Sequence, residues 1–287
     1  MIKILVTGSS GQSGSELKVL SENYSQYEWF FADRTQVSLD DTKLLKEQLE
    51  TIQPDIILNC GAYTAVDKAE LETELADLLN HQAVAVLAAY AKEHGVKLIH
   101  ISTDYVFDGT SSTALNEEAI ANPINTYGIT KRAGELAALA VNPNVIIIRT
   151  SWVYSRFGTN FVKTMQRLLH ERDTLGVVND QIGSPTYAAD LAQAMMDIVN
   201  NENWVPVLYN YSNEGEISWY EFVLAIKEIT GDSCKVHGIP SSSYPTPAAR
   251  PAFSLLDKTK IKAVYGVAVP DYKESLKRCL ELVKSEI

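Results

Sequence analysis

Residues 7–14 read TGSSGQSG, with Gly8, Gly11 and Gly14 three apart. Before them, Ile2 to Val6 is a short apolar run of the kind buried on both faces of a sheet. After them, Ser13 to about Asn23 carries Leu17 and Leu20 at helical spacing. A glycine turn between a buried strand and a helix is the opening unit of an α/β chain, and the alternation continues outward. Tyr27 to Ala32 is strand-like, and Leu44 to Ile52 reads as a helix stopped by Pro54. Asp55 to Cys60 is a strand, and Ala76 to Glu93 an Ala/Leu helix ending at Gly95, a suitable cap. Val96 to Ile101 is a strand, Thr130 to Val141 a helix and Val145 to Ile148 a strand.

This repetition predicts a parallel sheet with helices on both faces. The right-handed crossover rule favours a Rossmann-like, doubly wound order. Beyond residue 151 the pattern loosens. Phe161 to Glu171 and Trp219 to Thr230 read as helices, residues 179–199 as a turn then a helix, and Val207 to Tyr211 as a strand. Ser241 to Pro251, rich in Ser and Pro, reads as an irregular loop. The expected organisation is a dinucleotide-binding domain over residues 1–150, with a returning segment near 184–210. Residues 151–287 form a smaller, irregular α/β substrate domain laid over the carboxyl ends of the strands.

The glycine turn carries the first chemistry. Gly8, Gly11 and Gly14 permit a tight turn and close approach of backbone to a pyrophosphate. A helix N-terminus beside it offers free amides and the positive end of its dipole. The spacing is GxxGxxG rather than the GxGxxG of the usual dinucleotide fingerprint. About 20 residues on, where such folds read the adenosine ribose, stand Asp33 and Arg34. Asp33 suits a ribose hydroxyl and NAD(H); Arg34 suits a 2′-phosphate and NADP(H). The balance favours NADP(H), with NAD(H) also usable.

Tyr127 and Lys131 stand four apart and share a helix face if a helix begins near Tyr127. An ordinary phenol has a pKa of about 10, poorly matched to proton transfer near neutrality. An ammonium about 4 Å away is worth about 4 kcal/mol at an effective dielectric of about 20, enough to lower the phenol by up to about three pKa units before desolvation. The strand ending at Ile101 runs into STDYVFDG, residues 102–109. Thr103 there can hydrogen-bond a substrate oxygen near Tyr127, because ligands bind at the carboxyl ends of such strands. A tyrosine four before a lysine is common on helix surfaces. The strand-end threonine and the glycine turn make the combination specific.

Bulk properties exclude several classes. The net charge of −11 argues against broad nucleic-acid binding. Three widely spaced cysteines, Cys60, Cys234 and Cys279, fit neither a disulfide framework nor a metal site, and suit a reducing cytoplasm. No stretch approaches the roughly 18 apolar residues of a membrane span, and the first apolar run is too short for a signal peptide.

The chain resembles the extended short-chain dehydrogenase/reductases and, more closely, the dTDP-4-dehydrorhamnose reductases. The resemblance rests on GSSGQSGSEL, PDIILNCGAYTAVDKAE, STDYVFDG, YGITKRAGE, RTSWVY, NDQIGSPT and YPTPAARPAFSLLD. It implies an NADP(H)-dependent reductase of a nucleotide-linked keto sugar, forming dTDP-L-rhamnose. It implies Tyr127 as proton donor, Lys131 as its tuning partner and ribose ligand, and Thr103 as third catalytic member. It implies Gly11, Gln12 and Ser13 at the pyrophosphate, Ala62, Tyr63 and Thr64 along the dinucleotide, and Ser102 beside the nicotinamide. It implies Val66, Asp104, Tyr105 and Trp152 facing the sugar nucleotide, and a homodimer is common in the class. Lys68, Arg156 and Arg250 are basic candidates for the substrate diphosphate. Tyr63 stands where the family usually has His. No carboxylate cluster suggests a metal, so none is carried over.

Two other functions stay open. A sugar-nucleotide dehydratase or epimerase is one. Dehydratases of this architecture resemble a Thr-Asp-Glu triplet, and here Thr103-Asp104-Tyr105 lacks the glutamate. A non-catalytic regulatory subunit, like the β subunit of methionine adenosyltransferase, is the other.

Overall fold

The computed structural model describes residues 1–285. The strand β1 (Ile2–Thr7) leads through the glycine turn into α1 (Gln12–Leu20), β2 (Tyr27–Ala32), α2 (Thr42–Ile52) and β3 (Ile56–Asn59). Two short helices follow, α3 (Val66–Ala69) and α4 (Thr73–Asp77), then a π turn (Leu78–Gln82), α5 (Ala83–His94), β4 (Lys97–Thr103), α6 (Thr126–Val141) and β5 (Ile146–Thr150). The sequence predicts one helix over Ala76 to Glu93; the π turn divides it. Helix α6 starts at Thr126, ahead of the Thr130 expected, because Asn125 caps it by accepting a hydrogen bond from the Gly128 amide at 2.7 Å.

The second half contains β6 (Val153–Tyr154), α7 (Phe161–Glu171), β7 (Thr174–Val178), β8 (Ile182–Gly183), β9 (Thr186–Tyr187), α8 (Ala188–Asn200) and β10 (Val207–Asn210). It ends with β11 (Ile217–Ser218), α9 (Trp219–Thr230), β12 (Lys235–Ile239), α10 (Thr259–Tyr265) and α11 (Tyr272–Ser285). The sequence reading did not anticipate β7, β12, α10 or α11.

Six strands form one parallel sheet in the order β10-β5-β4-β3-β1-β2. The usual Rossmann order places a further strand outside β2. Here residues 33–41 are irregular and β2 is the edge. Successive strand residues point to opposite faces. Ile4, Val6, Ile56, Leu58, Ile99, Ile146 and Ile148 meet Leu17 of α1 and Leu191, Met195 and Ile198 of α8. Leu5, Ile57, Leu98 and Ile147 meet α2, α5 and α6 through Leu45, Leu49, Leu87 and Ala138. The continuous apolar runs exist because both faces are buried. A separate core holds α7, α9 and α11 with the β7–β12 pair, through Val162, Leu175, Phe222, Ile226 and Leu276. Among the described residues, no helix is long and apolar enough to cross a membrane.

Gly14 fixes how closely α1 approaches β1. A Cβ there would lie 2.4 Å from the Gly8 carbonyl oxygen and 2.6 Å from Ser9 Cα. Alanine would gain about 1 kcal/mol of helix propensity, but the clash is with backbone and overpacking costs about 1–3 kcal/mol. Gly14→Ala is therefore expected to lower stability by up to about 2 kcal/mol in urea unfolding. An unchanged midpoint would show that the turn has slack.

Candidate active site

The predicted site residues lie along one edge of the sheet, at the carboxyl ends of five strands. Across the sheet come Asp33 after β2, Gly8 after β1, Ala62 to Thr64 after β3, Ser102 to Tyr105 at the end of β4, and Trp152 after β5. Three strand spacings, roughly 14 Å, separate β2 from β4.

Gly8 has the left-handed φ of +64°, and a Cβ on it would lie 2.7 Å from the Gly61 backbone. Only glycine fits where these two turns touch. Gly11 caps α1 with no side chain, so the amides of the first turn, including Gln12 and Ser13, keep their donors for an outside acceptor. Gln12 Oε1 is buried without a hydrogen-bond partner, while its Nε2 donates to the Val153 carbonyl at 3.4 Å. An anion-ready helix end and an orphaned side-chain oxygen fit a dinucleotide phosphate with its ribose hydroxyls. A cleft of about 600 Å³ runs from Ser9 and Ser10 past Lys18 to Asp33 and Gln36.

At the end of β2, Asp33 Oδ1 accepts from the Thr35 amide at 2.8 Å and the Thr35 hydroxyl at 2.6 Å. Those bonds hold the carboxyl below its ordinary range. One oxygen of Asp33 is thus committed to its own turn, and the Arg34 side chain beside it is exposed. After β3, Ala62 is half-buried and Thr64 exposed, but Tyr63 is buried. Its hydroxyl donates to Glu72 at 2.6 Å, a bond that pushes the phenol up to about 12, and its ring packs with Ala69, Ala76 and Tyr127. Tyr63 can line a dinucleotide only through its backbone or ring edge.

Tyr127 and Lys131 lie on one face of α6, next to the end of β4. The Tyr127 ring packs edge-on against Tyr105, with centroids 5.6 Å apart. Burial raises the phenol to about 12; hydrogen bonding with Thr103 acts to lower it and the Asp104 charge to raise it further. The expectation of a phenol lowered by the ammonium is not met, because burial outweighs it. Lys131 is 1% exposed, and its Nζ donates to the Ile101 carbonyl at 2.6 Å and lies 3.3 Å from His100 Nε2. Burial lowers the amine to about 8, with Glu135 acting in the opposite direction.

Beside this pair, Thr103 Oγ1 donates to Asp104 Oδ1 at 3.1 Å and accepts from the Tyr105 amide at 3.2 Å. Asp104 is buried and raised to about 6 by desolvation, and its other oxygen accepts from Ser254 at 2.6 Å. Residues 248–255 are stitched over this end of the sheet. Asn125 donates to the Ala249 carbonyl at 2.7 Å, and Arg250 Nη2 pairs with Asp67 at 2.9 Å, next to Val66. Arg250 is therefore already engaged. Lys68 is exposed, and Arg156 lies over the Phe157 ring. Trp152 has the left-handed φ of +48° and stacks on Trp219 with centroids 3.7 Å apart. That makes it a packed aromatic at the rim, on a strained backbone of the kind that clusters at functional sites. Among the described residues, no group of three or more His, Cys, Asp or Glu is placed to hold a metal ion.

Comparison with known proteins gives this arrangement a context. Residues 2–285 match the family described as the RmlD substrate binding domain. The dTDP-4-dehydrorhamnose reductase of Aggregatibacter actinomycetemcomitans is 38% identical, over 96% of this chain and 98% of that protein. The chain belongs to the dTDP-4-dehydrorhamnose reductase family. The crystal structure of the Clostridium acetobutylicum dTDP-4-dehydrorhamnose reductase superposes with a TM-score of 0.95 at 35% identity, covering 99% of this chain and 100% of that one. The Bacillus anthracis reductase, solved in complex with NADP, gives 0.93 at 34% identity over 98% and 100%.

Around these family positions, Ser102 among them, the structure adds Glu135, Arg149, Arg132 and Asn80, to which the sequence reading gave no role. Ser102 donates to Glu135 at 2.6 Å, Arg149 grips the same carboxylate through Nε at 2.8 Å and Nη2 at 2.7 Å, and Arg132 adds a bond at 2.7 Å. This buried knot ties α6 to β4 and β5 and so fixes Tyr127 against Thr103. Asn80, in the π turn, accepts from the Tyr63 amide at 2.9 Å and donates to Thr130 at 3.2 Å.

Burial pushes the Glu135 carboxyl up, but Arg149, Ser102 and Arg132 outweigh it and the net position lies below 4.5. A depressed carboxyl contributes stability above its unfolded value and loses it as pH falls through the folded one. Glu135→Gln strands Arg149 and is expected to cost about 3 kcal/mol in urea unfolding at neutral pH. The gap to the unsubstituted chain should narrow as pH drops below 4.5. A gap independent of pH would mean the charge is not what holds the knot.

Proposed function

We propose that the chain reduces the C4 keto group of dTDP-4-dehydro-L-rhamnose to give dTDP-L-rhamnose, with NADPH as cofactor and Tyr127 as proton donor. The observation that carries this reading is the convergence of Tyr127, Thr103 and a buried Lys131 at the end of β4, two strands from a turn suited to a pyrophosphate. The family membership and the NADP bound to the B. anthracis relative support it.

In this reading Gly8, Gly11, Gln12, Ser13 and Gly14 hold the pyrophosphate, and Ala62 to Thr64 line the dinucleotide. Arg34 takes the 2′-phosphate. The second oxygen of Asp33 can accept from a ribose hydroxyl, which makes NADH the secondary cofactor. When bound, the cofactor supplies the hydride and nothing else that the chain must provide. Tyr127, at about 12, is protonated throughout the neutral range, as a donor to a carbonyl oxygen must be. Thr103 holds that oxygen beside the phenol. The Lys131 charge, on the same face of α6, favours the phenolate left once the proton has gone. Ser102 sits beside the nicotinamide, while Val66, Asp104, Tyr105 and Trp152 face the sugar nucleotide delivered by the second core.

Elimination chemistry needs an acid and a base in concert. The single carboxyl of Asp104 is tied to Thr103 and Ser254, which favours reduction over dehydration. Tyr127→Phe should lower turnover by about 10²–10⁴-fold, followed as loss of NADPH absorbance with dTDP-4-dehydro-L-rhamnose, while NADPH still binds by fluorescence. Undiminished turnover would remove Tyr127 from the mechanism.

A further inference from the structure

Beneath Lys131 lies a polar row that crosses three strands of the sheet. Thr7 of β1 pairs with Asn59 of β3, and Asn59 with His100 of β4, so the three side chains share one rung and one face. Thr7 and Asn59 are 1% exposed and His100 is fully buried. Thr7 Oγ1 donates to Asn59 Oδ1 at 2.6 Å, Asn59 Nδ2 meets His100 Nδ1 at 2.8 Å, and His100 Nε2 meets Lys131 Nζ at 3.3 Å. Buried polar groups persist only when each has a partner. This row spends three core positions on reaching one amine.

We propose that Thr7, Asn59 and His100 form a hydrogen-bond chain whose direction is set by the charge on Lys131, with His100 the positioning residue for that amine. A neutral imidazole has one donor nitrogen and one acceptor. With Asn59 donating to Nδ1, the ring hydrogen sits on Nε2 and points at Lys131, which must then be an uncharged amine offering its lone pair. With Lys131 an ammonium, the amine donates to Nε2, the hydrogen moves to Nδ1, and Asn59 turns its amide to present Oδ1. The heavy atoms stay in place under that 180° turn. At equilibrium the two states differ by one proton for the pair as a whole. It belongs to Lys131; the ring keeps a single hydrogen and changes the nitrogen that carries it.

The surroundings allow both states. Burial, and then the Lys131 charge, keep His100 well below its ordinary value, so the ring stays neutral. The acid on the same helix, Glu135, is held by Arg149, Arg132 and Ser102. Tyr127 on α6, Tyr63 packed against it and Asp104 beyond β4 are titratable groups on this side, and Tyr127 stays protonated through the neutral range. The Ile101 carbonyl keeps one Lys131 hydrogen in either state. The chain thus anchors Lys131 from below whatever its charge, leaving its remaining valence for a ligand above.

This inference deepens the proposed function, since it rests on Lys131 serving the cofactor site, but its test needs no turnover. In the full chain without ligand, imidazole ¹⁵N shifts of the five histidines are followed between about pH 6 and pH 10, with His100 assigned by its loss in His100→Gln. The expected result is an exchange of protonated nitrogen from Nδ1 to Nε2, with a midpoint near 8, the Lys131 value. Lys131→Met should abolish the exchange. A single tautomer across the range in the unsubstituted chain would overturn the inference, as would an exchange that persists in a folded Lys131→Met. Either result leaves the reductase assay free to stand or fall separately.

Discussion

A lysine with 1% of its surface exposed dominates this structure. Desolvating an ammonium is expensive unless hydrogen bonds replace water. Here the replacements are a strand carbonyl and an imidazole rather than a carboxylate. Glu135, one turn along α6, is consumed by two arginines and a serine. Among the described residues, the amine is therefore held without a carboxylate in hydrogen-bond contact. The cap by Asn125, the Glu135 knot and the polar rung beneath all serve to set α6 at one height on β4.

The glycine turn obeys the same logic of close approach. Gly8 touches Gly61, and Gly14 closes α1 onto β1. The phosphate-ready amides thus belong to the same rigid edge as Thr103. The second core sends residues 248–255 across to Asp104, Asn125 and Asp67. The edge that carries the glycine turn and the segment 248–255 meet near β4, which strand order places between β3 and β5.

Much of this was legible in the chain. Apolar runs marked β1, β3, β4 and β5, an aromatic stretch marked β2, and Gly95 marked the end of α5, since these signals are local. The juxtaposition of Thr103, Tyr127 and Lys131 was legible from the Tyr-Lys spacing taken together with the strand-end threonine and the glycine turn, not from that spacing alone. Three things were not. The β7–β12 pairing joins segments about sixty residues apart and contains Gly176 and Gly238, weak strand formers. Helix α11 carries Leu276, Cys279 and Leu280 at helical spacing, a signal present but masked by its many charges. The polar rung was invisible because Asn59 and His100 only interrupt the ends of two apolar runs; that they share a rung with Thr7 is a fact of register. Electrostatics misled in one respect: a neighbouring ammonium predicts a lowered phenol, yet burial wins at Tyr127. Asp33 and Arg34, indistinguishable as letters, separate once Thr35 is seen to occupy the carboxylate.

The most direct test is a crystal structure of the chain with NADP and dTDP-L-rhamnose. The account predicts the sugar C4 oxygen within hydrogen-bond reach of both Tyr127 Oη and Thr103 Oγ1, with Lys131 Nζ on the nicotinamide ribose and still touching His100. A sugar bound with its C4 oxygen turned away from Tyr127, or a nicotinamide ring resting on another strand end, would contradict it.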